Sequence, residues 1–274
     1  MSLAKVDYAN STALVTGATS GIGRAIALEL VSRGLARLVI VARSEEKLNA
    51  VAAELKQASS ALEVRTVAAD LEKQDVGVEI QKQVEQAGWN IDILVPNAAR
   101  AAKEVFASDL KTDTALATVD LNVRAVVDLS LRFLPGMAQR RSGGILNIGS
   151  TAGHQPVPFT ATYAASKAFL ISFSQAIREE QRDAGVRVAC IVPGITQTNL
   201  GGPGQGERRG ALDKVSIHQP DEVAKAAVDA YEANAPTQVV GFNNKVLQAA
   251  INVLPASTTA AVISKARGHP DQYS

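Results

Sequence analysis

Tyr163 and Lys167 stand four residues apart in Tyr163-Ala164-Ala165-Ser166-Lys167, opening a segment whose Phe169, Phe173 and Ile177 fall on helical spacing. On a helix that spacing puts both side chains on one face. An ammonium beside a phenol favours the phenolate, which predicts a tyrosine lowered from its ordinary pKa of about 10 toward the range useful for proton transfer at neutral pH. Ser150 ends an apolar run, so it would sit on the ligand-binding edge of a sheet. Tyr-x-x-x-Lys alone is a common spacing, and its weight depends on what surrounds it.

A second set of residues suits an anion. Thr16-Gly17-Ala18-Thr19-Ser20-Gly21-Ile22-Gly23 separates a strand pattern from a helix pattern with the spacing G-x-x-x-G-x-G. A glycine-rich strand-to-helix turn lets backbone N–H groups and the helix N-terminus approach a pyrophosphate without interference from Cβ atoms. The spacing is not G-x-G-x-x-G and no Gly-Lys-Ser/Thr follows, so neither the common dinucleotide fingerprint nor the P-loop applies literally. A turn that only packs helix on strand is the alternative. The end of the second strand reads Val41-Ala42-Arg43-Ser44. An acid there would suit the ribose 2′-OH of NAD, whereas Arg43 suits the 2′-phosphate of NADP, with Ser44 and Ser20 as further hydroxyl donors.

The elements that must position these groups alternate. Runs at 12–15, 38–41, 64–68, 91–95, 144–148, 186–192 and 237–240 read as strands, separated by longer helical patterns. Most are too uniformly apolar for a one-sided sheet, which predicts a doubly wound, Rossmann-type parallel sheet with helices on both faces, in one domain over residues 1–274. Gly34 and Gly185 each follow a helical segment, where a left-handed residue ends a helix. Residues 199–210 carry Gly201, Gly202, Gly204, Gly206 and Gly210 just beyond the sixth strand, so 199–217 is expected to be a substrate lid. Beyond it, residues 221–233 read as a helix, and 243–267 form a helical extension divided near Pro255. Its stripe of Val246, Leu247, Ala250, Ile251 and Leu254 is expected to pack on the core or a subunit interface. A lipophilic pocket or a membrane surface is the other reading.

Composition removes several classes of function. The 28 basic and 27 acidic residues leave a charge of +1, so no broad basic field exists to bind nucleic acid. One cysteine and three histidines exclude an internal disulfide and a multi-thiolate metal site, and no metal is expected. Cys190, inside the sixth strand, reads as a small core residue. With no leader pattern and no stretch of 18 uncharged apolar residues, the expected location is the cytoplasm and no transmembrane segment is expected.

In chain order, Thr16-Gly17-x-x-x-Gly21-x-Gly23, Asp70-Leu71, Asn97-Ala98, Leu121-Asn122-Val123, Asn147-Ile148-Gly149-Ser150, Tyr163-x-x-x-Lys167 and Pro193-Gly194 resemble the short-chain dehydrogenase/reductase family over about residues 12–200. The resemblance implies that Tyr163 is the general acid protonating a carbonyl oxygen and that Ser150 polarises that oxygen. It implies that Lys167 lowers the Tyr163 pKa and holds the nicotinamide ribose, and that Asn122 positions a relay water. Cofactor contacts are implied for Gly17, Thr19, Ser20, Gly21, Ile22 and Gly23, for Asp70 and Leu71 at the adenine, for Asn97 and Ala98, and for Pro193, Gly194, Ile195 and Thr198 at the carboxamide. The family usually has Asn-Asn-Ala-Gly after the fourth strand. Pro96-Asn97-Ala98-Ala99 stands here, which predicts altered geometry beside the adenine and weaker cofactor binding.

The resulting expectation is an NADP(H)-dependent carbonyl reductase, reversibly an alcohol dehydrogenase, forming a homodimer or homotetramer through the helices of Asn122 and Tyr163. Its small-molecule carbonyl or alcohol substrate depends on the lid and on loop residues such as His154, Gln155, Val157 and Phe159. The segment Val157-Pro158-Phe159 and the apolar C-terminal stretch point to a bulky, lipophilic one. The alternative is a catalytically silent nucleotide-binding regulator on the same fold, against which the intact Ser150, Tyr163 and Lys167 argue.

Overall fold

Strands form at all seven expected places: β1 (Thr12–Thr16), β2 (Arg37–Ala42), β3 (Glu63–Ala68), β4 (Ile93–Val95), β5 (Gly144–Ile148), β6 (Arg187–Val192) and β7 (Thr237–Val239). The computed structural model describes residues 3–102, 112–198, 200 and 217–267. All pairings are parallel, in the order β3-β2-β1-β4-β5-β6-β7. Every residue of β1, β5 and β6 is buried, which is why these strands read as unbroken apolar runs. The edge strand β3 differs. Its Glu63 and Arg65 are exposed, and charges there discourage further strand pairing.

The helices, in chain order, are α1 (Gly21–Ser32), α2 (Glu45–Ala58), α3 (Val76–Gln86), α4 (Thr112–Val119), α5 (Ala125–Arg140), α6 (Ala161–Glu180), α7 (Pro220–Glu232), α8 (Phe242–Asn252) and α9 (Ala256–Arg267). On one face of the sheet Ile26 and Leu30 of α1, Leu48 and Leu55 of α2 and Val228 of α7 bury Val15, Ile40 and Ile148. On the other, Ile80 of α3, Leu129 and Met137 of α5 and Ile177 of α6 cover Leu14, Leu94 and Ile145. Each face of the sheet therefore has its own core. The order reverses between β1 and β4, and where neighbouring strands send their crossovers to opposite faces a crevice opens at their C-terminal ends.

Gly34 ends α1 as expected, at φ +90°, with its N–H on Val31 O (2.9 Å) and that of Leu35 on Leu30 O (3.2 Å). Helix α6 stops earlier than its pattern suggested, and Gly185 closes the following turn at φ +74°, where a Cβ would lie 2.7 Å from Arg141 O. The C-terminal extension forms two helices on either side of Pro255, but Val246, Leu247, Ala250 and Leu254 are exposed, not packed on the core. The expected lid, 199–217, lies outside the described residues apart from Leu200 and Ile217.

Candidate active site

The chain leaves β5 one residue late, because Gly149 N–H still donates to Ile191 O at 2.8 Å. Ser150 then caps a 3₁₀ turn, Thr151–His154, its Oγ accepting from Ala152 N–H at 3.2 Å. Gly153 is pressed onto α6, where a Cβ would come within 2.7 Å of the Lys167 carbonyl carbon. That contact sets the Ser150 turn against the helix bearing Tyr163 and Lys167, and Ser150 and Tyr163 share a hydrogen bond.

Lys167 is 3% exposed, and its ammonium donates to Ile148 O at 2.7 Å, so a buried cation ties α6 to the end of β5. Burial brings it down to a pKa of about 8. Its Nζ lies 5.9 Å from the centroid of the Tyr163 ring. Tyr163 itself departs from the expected lowering: burial pushes its hydroxyl up, and the Ser150 hydrogen bond works the other way. The physical reason is placement, since the ammonium stands over the ring and is bonded to Ile148 O while the phenol is partly removed from water. Tyr163 is thus held as a protonated phenol, the form a general acid requires.

Asn122, 1% exposed, lies in a π turn, Asp120–Arg124, between α4 and α5. Its Oδ1 accepts from Arg100 N–H (3.0 Å), and its Nδ2 donates to Arg100 O (3.0 Å) and Ser166 Oγ (2.9 Å). Ser166 Oγ in turn donates to Tyr163 O at 2.7 Å. Both amide protons are therefore committed to clamping the post-β4 loop onto α6, and neither remains to hold a relay water. No pattern in the sequence announces the π turn, a device enriched at functional sites.

At the crevice, Gly17 (φ +65°) and Gly21 (φ +53°) need the conformational freedom of glycine. Gly23 needs the space, because a Cβ would sit 2.3 Å from Asn97 Nδ2 and 2.5 Å from Gly17 O. Asn97 Nδ2 donates to Thr16 O, and Ala98 N–H to Thr16 Oγ1, both at 2.9 Å. The post-β4 segment is therefore fastened to the glycine turn by these two bonds. Pro96 does not disturb it: the ladders of β4 end by Val95, and Asn97 N–H closes a tight turn onto Val95 O at 2.9 Å.

These surroundings fit a dinucleotide. Ser20 precedes α1 in extended conformation, is exposed and makes no capping bond, so its hydroxyl and the first N–H groups of the helix, Ile22 included, remain for a phosphate. Thr19 is half-buried beside it, and Thr198 from the post-β6 loop lies over Gly21, 3.0 Å from where a Cβ would be. Arg43 is exposed at the end of β2. Ser44 caps α2 by accepting from Lys47 N–H at 3.3 Å, which leaves its proton to donate. Asp70 accepts from Glu72 N–H at 3.2 Å, while the Leu71 side chain is 5% exposed within the α3–α5 core, which leaves its main chain for a ligand. Pro193 O accepts from Thr151 N–H (3.0 Å), Gly194 abuts Asn244, and Ile195 O accepts from His218 N–H (2.9 Å), linking the post-β6 turn to the Ser150 turn and to α8. His154 lies against α8, 3.2 Å from Gln248 Nε2, as a loop residue.

A parallel α/β sheet with a glycine turn at its switch point and Ser150, Tyr163 and Lys167 beyond β5 defines a dinucleotide-dependent oxidoreductase. Residues 11–207 match the short chain dehydrogenase family, and the chain belongs to it, among oxidoreductases that act on carbonyl and hydroxyl groups with a nicotinamide cofactor. It is 38% identical over 191 residues to a very-long-chain 3-oxoacyl-CoA reductase of Mycosarcoma maydis, covering 69% of this chain and 54% of that one. It is 32% identical over 255 residues to that of Bos taurus, covering 92% and 75%. The chain thus spans about half the length of the first relative and three quarters of the second. Among solved structures, a short-chain dehydrogenase from Sphingobium yanoikuyae in complex with NADPH superposes with a TM-score of 0.77 at 27% identity, covering 96% of this chain and all of the other. A 3-ketoacyl-(acyl-carrier-protein) reductase from Brucella melitensis complexed with NADH gives 0.72 at 27% identity, covering 85% and 98%.

Proposed function

We propose that this protein is an NADPH-dependent carbonyl reductase, reversibly an alcohol dehydrogenase, for a bulky lipophilic ketone or aldehyde. The 3-oxoacyl thioesters named for its relatives are the first candidates. The observation that carries the reading is the half-buried Tyr163 phenol, bonded to Ser150 and backed by the Lys167 ammonium. NADPH, when bound, supplies the hydride that goes to the carbonyl carbon. Ser150 donates its hydroxyl proton in a hydrogen bond to the carbonyl oxygen and draws charge onto it. Tyr163 transfers its phenolic proton to that oxygen, giving the alcohol. Lys167 stays charged through this step, stabilises the developing phenolate, and holds ribose hydroxyls of the cofactor. Asn122 keeps Tyr163 in register by bonding Ser166, whose Oγ bonds the Tyr163 carbonyl. Arg43 takes the 2′-phosphate, with no acid at Ala42 to repel it.

The reading includes a homo-oligomer. Leu116 of α4, Leu131 of α5 and Phe169 of α6 are exposed, and Phe169 stacks on Phe173 at 5.5 Å, an apolar surface suited to a second copy. The test of function is NADPH oxidation over a panel of ketones, aldehydes, steroids and 3-oxoacyl thioesters of increasing chain length. Turnover that improves with lipophilic bulk supports the reading, and NADPH binding with no turnover on any carbonyl favours the silent regulator.

A further inference from the structure

Helix α8 is turned inside out relative to the other helices. Asn244, Gln248 and Ile251, spaced i, i+4, i+7, face the body of the protein. Asn244 Nδ2 donates to Val240 O at 2.8 Å and lies 3.1 Å from His218 Nε2, while Gln248 meets His154. The opposite stripe, Phe242, Val246, Ala249 and Val253, points outward. Phe242 is 78% and Val253 80% exposed, with Val246, Leu247 and Leu254 about half exposed beside them and Val262 following on α9. Helices that close a water-facing surface bury the apolar side, whereas here hydrogen bonds hold the polar side and the apolar side is left outward.

Charge supplies a second, independent observation. Although the chain as a whole is nearly balanced, residues 242–267 contain Lys245, Lys265 and Arg267 and no Asp or Glu. Lys245 and Lys265 are exposed. An apolar stripe on a segment whose own charges are all cations complements the anionic face of a lipid bilayer, although Glu222 reaches His218 behind the helix. No helix among the described residues is long and apolar enough to cross a membrane, so contact of this kind lies in the interfacial plane. Through Gln248 and His154 the same helix touches the turn that Ser150 caps, which puts the lipid boundary beside the Ser150 turn and, on the function proposed above, beside a lipophilic substrate.

We propose that α8 and the turn into α9 dock this protein on an anionic membrane surface, with Phe242, Val246 and Val253 among the acyl chains and Lys245 and Lys265 against lipid phosphates. The test is co-sedimentation of the full chain with phosphatidylcholine vesicles, with and without roughly one-third phosphatidylglycerol. The parent is expected to bind the anionic vesicles and to release in high salt. Phe242→Ser with Val253→Ser should lower partitioning at least about tenfold, and Lys245→Gln with Lys265→Gln by about fivefold per charge removed. Reduction of a water-soluble ketone and the thermal midpoint should stay at parent values in both variants, which separates a docking defect from misfolding. Absence of vesicle binding by the parent, or unchanged binding by the serine variant, overturns the proposal. So does a parent that ignores vesicles but loses self-association in sedimentation velocity when the serines are introduced, since the stripe then covers a second copy.

Discussion

Helices α6 and α8 show similar periodicity and use it in opposite senses. On α6 the inward face combines Leu170 and Ile177, packed as core, with Lys167 and Ser174, whose polar groups reach the carbonyls of Ile148 and Leu170. Burial there is what gives the chemistry its character: it keeps Tyr163 protonated and brings Lys167 to a pKa of about 8. On α8 the inward face is Ile251 with two amide side chains held by hydrogen bonds, and most of the apolar residues look outward. Apolar periodicity therefore announces that a helix has two faces; which face is inward depends on the partners it meets.

The sharpest challenge to the α6 half of this contrast is Lys167→Met. Loss of the buried ammonium should lower kcat/KM by about 100-fold or more and weaken NADPH binding as well, read by steady-state kinetics and by fluorescence titration. In the parent the lysine is charged below a pH of about 8 and neutral above it, so NADPH affinity should fall as pH rises through that value. In the Met variant it should be flat. A smaller effect is expected at the glycine turn, where the added methyl of Gly23→Ala collides with Asn97 and Gly17 O and should cost about 1–3 kcal/mol in urea unfolding, together with weaker NADPH binding. Next comes Arg43. The parent should prefer NADPH over NADH at least about tenfold in kcat/KM, or roughly 1.4 kcal/mol, and Arg43→Asp should erase or reverse the preference. The smallest effect belongs to α8: Asn244→Ala should cost about 1 kcal/mol of stability by deleting the bond to Val240 O. Phe242→Ser should stay within about 0.5 kcal/mol. Equal costs for these two changes would mean that α8 is not held by its polar face.

The same contrast explains what the sequence revealed. All seven strands and the glycine turn were legible because each depends on short-range chemistry, β-branched runs and glycines at positive φ, whereas Ser150 was joined to Tyr163 and Lys167 only through the family resemblance. The commitment of Asn122 to Arg100 and Ser166 was not legible, since it joins residues 22 and 44 positions apart across a π turn. Nor was the direction of the Tyr163 shift, which depends on the ammonium lying over the ring and bonding Ile148 O. The inward turn of the Leu71 side chain was not legible either, because a family motif fixes a residue's place along the chain and not the direction of its side chain. The stripe of Val246, Leu247 and Leu254 is exposed, which removes the core from the expected surroundings and leaves a subunit interface, a lipophilic pocket or a membrane surface.

Tyr163→Phe tests the central claim most directly, because it removes one oxygen from a half-buried ring and leaves the packing in place. Turnover of the best carbonyl substrate should fall by at least about 100-fold, while the NADPH dissociation constant should stay within about twofold of the parent. A Phe variant that retains most of its reductase activity would contradict the assignment of Tyr163 as the proton donor.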